Sequence, residues 1–330
     1  MSVDAKRLDV HAIPKTMHAA AIDHPGGPAV LSIHSLPVPE LGANEVLIAV
    51  DTAGVGGWDA DMRDGWSPSG RIHFPLVLGT DGAGIVAAVG SRVRRFKPGD
   101  RVFAYAWDNP KGGFYAEYVA VTAEGVAHIP QPLDLKHAGA IPVTGLTALQ
   151  GIDDALHVEK GQAIVVHGAS GGVGSLALQF AKLRGARVLA SASGNDGLAF
   201  VRQLGADMAV DGRHGDTAAA VRGFAPDGVD AVLALAGGVA LERFLEAVRD
   251  GGKVAYPNGV EPKPKKRRGI EVIPYDAAAG VREFERLGHV VETSKPKIQI
   301  ASEYRLADAA KAHERLAHGH VLGKIVLRIP

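Results

Sequence analysis

The stretch Val165-Val166-His167-Gly168-Ala169-Ser170-Gly171-Gly172-Val173-Gly174 decides the fold of this chain. An apolar run typical of a buried strand ends there in a glycine-rich turn, and helical periodicity begins inside the turn. The glycines permit a tight turn and let backbone N–H groups reach a phosphate, next to the partial positive charge of a helix N-terminus. Their spacing, G-x-x-G-x-x-G, departs from the strict G-x-G-x-x-G. The motif therefore predicts a dinucleotide site only where strands and helices surround it in the right order.

The segments that follow supply that order, because strand-like and helix-like segments alternate from Ala163 to Ile273. This alternation predicts βαβ units and an α/β fold with a doubly wound parallel sheet. The predicted strands are Ala163–His167, Arg187–Ser191, Asp207–Val210, Val229–Leu235, Lys253–Tyr256 and Ile270–Ile273, and the predicted helices are Gly172–Arg184, Asp196–Leu204, Asp216–Phe224 and Gly238–Val248.

Ligands bind such sheets outside the carboxyl ends of the strands. The candidate cofactor residues are therefore Gly168, Ser170, Gly171, Gly172 and Val173 in the turn, and Ala236, Asn258 and Gly259 at later strand ends.

The first 130 residues or so show a different pattern, with short apolar runs bounded by turn residues. A mostly β domain is predicted, with an extension at Met1–Thr16, a first strand at His18–Ile22, and further strands at Glu45–Val50, Gly84–Val89, Arg101–Ala104 and Phe114–Val121. The pattern changes near Leu133. It changes again in the tail, which we expect to rejoin the first domain through helices Ala279–Val291 and Ala307–His318 and strands Lys297–Ile300 and Lys324–Ile329.

Composition excludes several classes of function. Lys and Arg total 36 and Asp and Glu total 36, so the formal net charge is zero, which argues against a nucleic-acid or membrane partner. Cysteine is absent, which excludes disulfides and thiolate metal sites. No apolar run of about 18 residues and no signal-peptide core is present, so a cytoplasmic location is expected. The basic run Lys263–Arg268 predicts an exposed loop, with a phosphate or nucleic-acid contact as the alternative.

The end of the second strand of the βαβ series bears on which dinucleotide is bound. An acidic residue is expected there when the ribose 2′-hydroxyl of NAD is held. This chain instead has Ser191 and Ser193. Their hydroxyls can donate to a 2′-phosphate, so NADP(H) is favoured, although both serines also suit plain turn chemistry. A matching cation is missing, because position 197 is glycine, and the choice among Arg187, Arg202 and Arg213 stays open.

Several further motifs carry a resemblance to a known family. They are Leu78–Val86, Val89-Gly90, Phe96–Val102, Pro142–Ala148, the glycine-rich turn and Gly323–Leu327. In this order and spacing, the chain resembles a zinc-independent medium-chain dehydrogenase/reductase of the quinone oxidoreductase, or zeta-crystallin-like, type from about Met17 to Ile329.

The resemblance implies a split architecture with the cofactor between two domains. A GroES-like, partly open β-barrel catalytic domain would comprise residues 1–132 and 278–330, and a Rossmann domain would comprise residues 133–277. A homodimer is implied as well. Positions that bind zinc in other members match Gly56, Thr80 and Ala140, so no metal is expected. His313, His318 and His320 are predicted on a solvated helix face and turn.

The resemblance also implies a site. Thr144 matches a position beside the nicotinamide, although a helix start is the alternative. The substrate pocket would draw on Gly56, Trp58, Trp66 and Trp107, where many relatives have Asn-Pro in place of Gly56-Gly57. Tyr105 and Asp61 are the candidate proton donors, with a packed aromatic ring and a solvated acid as the alternatives.

A metal-free site suits an acceptor such as a quinone or an α,β-unsaturated carbonyl, in which charge develops on a carbonyl oxygen. The expected activity is NADPH-dependent reduction of such small molecules. The alternatives are a zinc-free alcohol or aldehyde oxidoreductase and a non-catalytic NADPH-binding protein with a sensing or RNA-associated role.

Overall fold

The computed structural model describes residues 13–67, 70 and 72–330. Residues 1–12 of the predicted N-terminal extension lie outside the described residues. The strands are β1 Thr16–Ile22, β2 Ser32–Pro37, β3 Glu45–Val55, β4 Leu76–Val77, β5 Asp81–Val89, β6 Arg101–Tyr105, β7 Tyr118–Thr122, β8 Val126–His128, β9 Ala163–His167, β10 Arg187–Ala192, β11 Met208–Asp211, β12 Val229–Ala234, β13 Val248–Pro257, β14 Glu271–Tyr275, β15 Ile300–Arg305 and β16 Lys324–Arg328.

The helices cover both halves of the chain. They are α1 Gly57–Arg63, α2 Leu135–Gly139, α3 Pro142–Gln150, α4 Gly172–Leu183, α5 Gly194–Gln203, α6 Thr217–Phe224, α7 Val239–Leu245, α8 Val281–Ser294 and α9 Ala309–Ala317. Short 3-10 turns occur at Pro28–Val30, Ala123–Gly125 and Leu306–Asp308, and a π-helical turn at Gly151–Ala155 continues α3.

Six parallel strands form the nucleotide-binding half, in the order β11-β10-β9-β12-β13-β14. Every residue of the central strand β9 is buried, as expected for a parallel sheet that helices cover on both faces. The strand order reverses at β9, between β10 and β12, and ligands bind at such a switch point. The predicted doubly wound α/β fold is confirmed.

The other half contains a seven-stranded sheet with β15-β16-β3-β5-β6-β8 in order and β7 paired to β3, together with a three-stranded sheet β2-β1-β4. All of its pairs are antiparallel except that of β15 with β16. The tail rejoins this half as predicted, because β16 pairs with the end of β3, with Ile325 opposite Val55. The GroES-like, partly open barrel is confirmed as the second architecture.

The two halves share a hydrophobic core where they meet. Phe103 and Tyr105 from β6 of the barrel belong to the same buried cluster as Ile164 and Val166 from β9 of the parallel sheet. Helix α2 packs on β3 and β5, although the predicted boundary at residue 132 assigns it to the nucleotide-binding domain. The predicted domain limits stay a prediction.

A backbone link joins the glycine-rich turn to the barrel. Gly323 donates its N–H to the carbonyl of Ser170 over 2.9 Å and forms a parallel bridge with Gly171. Its φ of +98° favours glycine, and a Cβ there would collide with the carbonyl of Gln299. This link brings the start of β16, and therefore Lys324, to the edge of the turn.

Candidate active site

A cleft of about 460 Å³ lies between the two sheets, at the carboxyl ends of the parallel strands. Residues from both halves line it. From the barrel come Gly56, Trp58, Asp61, Tyr105 and Trp107 among others, and from the nucleotide-binding half come Thr144, Gly168, Gly171, Gly172, Val173, Asn258 and Gly259. Most of the residues predicted for the site are therefore brought together, while Ser170, Trp66, Ser191, Ser193 and Ala236 lie outside the cleft lining.

The glycine-rich turn has the geometry of an anion cradle. Gly168 adopts φ +83°, and a Cβ at Gly174 would collide with the carbonyl of Gly168, so the turn requires glycine at both positions. Helix α4 begins at Gly172, and its N-cap residue Gly171 offers no side chain to satisfy the first N–H groups. Those groups face the cleft, where a phosphate can accept from them. The turn fits the pyrophosphate of a dinucleotide.

Two other predicted cofactor residues meet this cleft through polar side chains. Thr144 is buried on α3, and its hydroxyl donates to the carbonyl of Ala140 over 2.8 Å, which agrees with the helix-start alternative. Asn258 follows β13 and donates its amide to Asp276 over 2.8 Å. At the end of β12 the cleft is lined by Leu235, whereas the predicted Ala236 is not part of the lining.

The two serines at the end of β10 differ in burial. Ser191 is buried, and its hydroxyl lies 2.9 Å from Nδ1 of His167, whose pKa burial lowers to about 4. A buried and bonded hydroxyl is not placed to meet a 2′-phosphate, so Ser191 does not suit the predicted contact. Ser193 directly follows the strand and stays accessible. Arg187 starts β10 at the far end and packs on Phe224, which removes it from the candidate cations.

The chain's three tryptophans gather on the barrel side of the cleft mouth. Trp58 and Trp66 have ring centroids 4.9 Å apart, and Trp107 lies 6.1 Å and 6.2 Å from them. Trp66 and Trp107 are each about two-fifths exposed. We call Trp58, Trp66 and Trp107 the tryptophan wall. Exposed aromatic surface of this kind at a cleft mouth favours contact with a flat apolar ligand.

The two candidate proton donors both line the cleft. Burial, together with the nearby carboxylates of Asp81 and Asp276, raises the pKa of Tyr105 far above its usual value, so its hydroxyl stays protonated. Burial and the neighbouring Asp64 raise the pKa of Asp61. Both residues keep their predicted roles as hypotheses.

No role was predicted for Lys324 from the sequence, although the residue lies within the motif Gly323–Leu327. Lys324 is buried, and its Nζ lies 3.8 Å from Oδ1 of Asp81, a fully buried carboxylate whose Oδ2 accepts from the N–H of Val143 over 3.0 Å. Burial raises the pKa of Asp81, and the ammonium opposes that rise. Among the cleft residues that the structure describes, Lys324 is the single Lys, Arg or His.

A buried chain of hydrogen bonds supports the floor of the cleft. Asp59 accepts from the N–H groups of Gly56 over 2.7 Å and Thr80 over 3.1 Å, and the hydroxyl of Tyr115 donates to it over 3.3 Å. Nε2 of His313 lies 3.1 Å from that hydroxyl.

Arg63 completes the chain of bonds and fixes its direction. Its Nη1 lies 2.9 Å from Nδ1 of His313. Because a guanidinium only donates, Nδ1 accepts and Nε2–H donates to Tyr115, as in a neutral imidazole. Burial and Arg63 lower the pKa of His313 to about 4. Its predicted position on a solvated helix face was wrong, because it is 1% exposed. We call Asp59, Tyr115, His313 and Arg63 the buried polar chain.

The positions that match zinc ligands in other members provide few side chains that could bind a metal. Gly56 and Ala140 have no ligating side chain, and a Cβ at Gly56 would lie 3.3 Å from the ammonium of Lys324. Across residues 13–67, 70 and 72–330 no group of three His, Cys, Asp or Glu side chains is arranged to hold a metal. No helix in that part of the chain is long and apolar enough to cross a membrane.

Comparison with known proteins defines the class. Residues 42–131 match the alcohol dehydrogenase GroES-like domain, and residues 204–327 match a zinc-binding dehydrogenase family. Together with the fold and the cleft, these matches identify an oxidoreductase of a pyridine-nucleotide-dependent class.

Individual relatives show to which type within the superfamily the chain belongs. A quinone oxidoreductase of Mus musculus is 30% identical over 330 residues, covering 95% of this chain and 98% of the relative. An Arabidopsis thaliana NADPH-dependent alkenal/one oxidoreductase is 32% identical, covering 96% of this chain and 80% of the relative. A crystal structure of an NAD-dependent alcohol dehydrogenase superimposes with a TM-score of 0.87 at 34% identity, covering 95% of this chain and 100% of that one. The chain belongs to the medium-chain dehydrogenase/reductase superfamily and to its quinone oxidoreductase type.

Proposed function

We propose that this protein uses NADPH to reduce quinones or α,β-unsaturated carbonyl compounds without zinc. The observation that carries the proposal is the arrangement of the cleft. A glycine-rich anion cradle forms one wall, the tryptophan wall borders its mouth, and the ammonium of Lys324 lies beside Gly56, a position that matches a zinc ligand in other members. The similarity to quinone and alkenal/one oxidoreductases supports the same acceptors.

The dinucleotide, when bound, supplies the hydride. The protein's own residues orient the reactants and stabilise the charge that develops on the acceptor. The N–H groups at the start of α4 would hold the pyrophosphate. Lys324 would assist them from beside the turn, because its Cδ lies 3.6 Å from a Cβ placed at Gly172 and its ammonium lies 3.3 Å from a Cβ placed at Gly56. Its positive charge offsets the charge of the pyrophosphate in a place where little water screens it.

Groups on the barrel side of the cleft would stabilise the carbonyl oxygen of the acceptor. The hydroxyl of Tyr105 remains protonated at neutral pH and can donate a hydrogen bond to the developing oxyanion. The absence of side chains at Gly56 and Gly57 leaves room beside Trp58 for a flat acceptor. Loss of the Tyr105 hydroxyl should therefore lower kcat more than it raises KM for the dinucleotide.

A zinc-free alcohol oxidoreductase is the second candidate. The observation in its favour is the likeness to a solved NAD-dependent alcohol dehydrogenase. The non-catalytic, RNA-associated alternative is weakened, because the guanidinium of Arg267 in the basic run is held by Glu242 over 3.0 Å.

The deciding experiment follows the change in absorbance at 340 nm, with EDTA and without it. NADPH and NADH are each offered with an ortho-quinone, a small unsaturated ketone or an aldehyde, and NADP⁺ with a simple alcohol. Fast oxidation of NADPH by a quinone or enone is the expected result. Turnover of the alcohol alone would favour the second candidate, and activity that EDTA removes would overturn the zinc-free mechanism.

Gly172→Asp tests the cradle. A carboxylate at the first position of α4 would face the pyrophosphate, and its Cβ would lie 3.1 Å from Thr144. The affinity for NADPH should fall at least about tenfold, because an unfavourable charge interaction at a helix N-terminus is added to lost space. Gly223→Asp on α6, where a Cβ meets nothing within 4 Å, is the matched control. Equal affinities for wild type and Gly172→Asp would disprove the assignment.

We also propose a cytoplasmic homodimer without a membrane or nucleic-acid partner. The zero net charge supports the exclusion of nucleic acid. Light scattering on the purified chain tests the dimer, and fractionation of the source cells tests the location. A monomer at micromolar concentration, or recovery of the chain with membranes, would contradict these two proposals respectively.

A further inference from the structure

The adenosine end of the cofactor site contains a side chain from the barrel half. The adenosine ribose of a dinucleotide lies beyond the carboxyl end of the second strand of the βαβ series, which is β10 here. His320, between α9 and β16, reaches that edge. Its Nδ1 lies 3.1 Å from Oγ of Ser193, and its Nε2 lies 2.9 Å from Oδ2 of Asp196. Ser193 is the first residue after β10, so the imidazole stands where the ribose must pass.

Two glycines make room for this ring. Cβ atoms placed at Gly194 and Gly197 would lie 3.4 Å and 3.8 Å from Cε1 of His320. A long side chain at Gly197 would therefore compete with the imidazole for the same space. The sequence left the cation for a 2′-phosphate unassigned because position 197 is glycine. In the structure the space beside Gly197 is occupied by His320, which lies 123 positions further along the chain.

The hydrogen bonds define what the imidazole can offer. Asp196 only accepts, so Nε2 of His320 carries a proton and donates to it. That bond, with a second one from the N–H of Gly197, holds the pKa of Asp196 below its usual value. The imidazole therefore presents an N–H donor toward an anion on this edge. It is also partly exposed, so a ligand can reach it.

The carboxylates around this edge oppose an anion, so binding of a 2′-phosphate there would depend on the N–H of His320. Asp211 ends β11 and accepts from the N–H of Gly194 over 3.1 Å, so two carboxylates flank the edge. Arg315 donates to the carbonyls of Gly319 and His320 over 2.8 Å and 3.0 Å, which fixes the segment that carries the ring. Two further basic residues, Arg213 and His214, follow Asp211 and are exposed. A 2′-phosphate would meet repulsion from Asp196 and Asp211, whereas a ribose 2′-hydroxyl could donate to either carboxylate.

We propose that His320 and Asp196 set the preference between NADPH and NADH, with His320 donating to the 2′-phosphate and Asp196 opposing it. The inference rests on the proposed dinucleotide site and not on the identity of the acceptor. A phosphate takes over the Nε2–H bond that Asp196 holds in the free protein, and Ser193 donates beside it. The preference is thus a competition between one phosphate and one carboxylate for the same imidazole.

Equilibrium binding of two adenosine fragments tests this competition without any turnover. Calorimetry with adenosine 2′,5′-bisphosphate and with 5′-AMP compares wild type, His320→Ala, His320→Arg and Asp196→Asn. We expect His320→Ala to lose about tenfold or more in affinity for the bisphosphate, since a hydrogen bond to a charged group is removed. Its affinity for 5′-AMP should stay within about twofold. His320→Arg should restore bisphosphate binding, and Asp196→Asn should raise it several-fold.

Several outcomes would contradict the proposal or the dinucleotide site on which it rests. Equal loss of both fragments in His320→Ala, without rescue by His320→Arg, would make His320 a structural link. An unchanged ratio in all variants, or a wild type that binds both fragments equally, would remove the pair from cofactor choice. Binding of neither fragment to wild type would overturn the dinucleotide site itself. Failure of quinone reduction with normal fragment binding would instead contradict only the proposed acceptor.

Discussion

Lys324 shows how a single buried charge links stability to the cofactor site. Its partner Asp81 is fully buried, and Oδ1 of Asp81 has the ammonium at 3.8 Å as its nearest compensation. Removing one member of a buried pair leaves the other uncompensated, which costs about 3 kcal/mol or more. The local pattern around Lys324 reads as a terminal strand, so a role for the residue could not be predicted from periodicity alone.

Lys324→Met should lower both the free energy of unfolding and the affinity for NADPH, the latter at least about tenfold. The double variant Lys324→Met/Asp81→Asn should recover most of the stability without recovering the affinity, because the unpaired carboxylate is gone but the cation is still missing. Denaturant unfolding and NADPH titration measure the two effects. Recovery of both properties in the double variant would show that Lys324 is purely structural.

The buried polar chain contains two groups whose protonation acts on stability in opposite directions. Burial, partly opposed by Lys324, raises the pKa of Asp59 from 3.8 to about 6. Its folded pKa lies above its unfolded value, so its stabilising contribution is complete below about pH 4 and is lost as the pH rises to about 6. Burial and Arg63 lower the pKa of His313 from 6.5 to about 4. The contribution of His313 is therefore complete above about pH 6.5 and is lost as the pH falls to about 4.

Asp59→Asn should make the protein acid-sensitive. With the opposing carboxyl removed, the loss from His313 is no longer offset. The free energy of unfolding should then fall by up to about 3 kcal/mol more than that of wild type between pH 6.5 and pH 4, at 1.36 kcal/mol for each pKa unit. Urea midpoints across this range measure the difference. His313→Asn is the reciprocal control and should gain stability relative to wild type on acidification. Parallel pH profiles for wild type and Asp59→Asn would contradict the assigned protonation states.

Helix α1 was not predicted from the sequence, and its first residues explain why. It is seven residues long and begins after Gly56 with Gly57, two residues that disfavour a helix by propensity. Its start is stabilised instead by the carboxylate of Asp59, which accepts from the N–H of Gly56. By contrast, α4 was predicted at Gly172–Arg184 and is found at Gly172–Leu183, because its apolar periodicity is long and regular.

Gly57→Pro should stabilise the protein by about 0.5–1 kcal/mol. Gly57 is the first helical residue, a Cβ there meets nothing within 4 Å, and proline suits that position. Gly56→Pro is the matched control. It should destabilise, because it removes the N–H that Asp59 accepts and because the φ of −137° at Gly56 is incompatible with proline. Thermal denaturation of both variants gives the comparison, and equal shifts would disprove this account of the helix start.

The arrangement of the two halves could be predicted only in outline. The doubly wound parallel sheet and the return of the tail follow from strand patterns and from the resemblance to a family. The buried polar chain does not, because Arg63 and His313 are 250 positions apart and their meeting depends on how α1 and α9 dock. Likewise, His320 meets Ser193 at the end of β10 in the same region where Gly323 is bound to Ser170 across the two halves. Contacts between distant residues of this kind leave no local signal in a single sequence.

Gly323→Ala should weaken both the fold and the cofactor site. A Cβ would collide with the carbonyl of Gln299, and the φ of +98° is unfavourable for alanine. Breaking the link between the turn and β16 should lower the melting temperature by several degrees and reduce NADPH affinity. Gly319→Ala, also at positive φ but with open space around its Cβ, controls for backbone strain alone. Equal effects of the two substitutions would show that the link contributes nothing of its own.

The tryptophan wall has a spectroscopic consequence. Because the chain contains three tryptophans and all of them lie together at the cleft mouth, essentially all of its indole emission originates within one patch. The reduced nicotinamide absorbs in the range where indoles emit, so a bound dinucleotide should quench this light by energy transfer while a flat quinone quenches it by contact. The unlabelled protein therefore carries its own optical reporter, positioned to follow the filling and emptying of the cleft in real time.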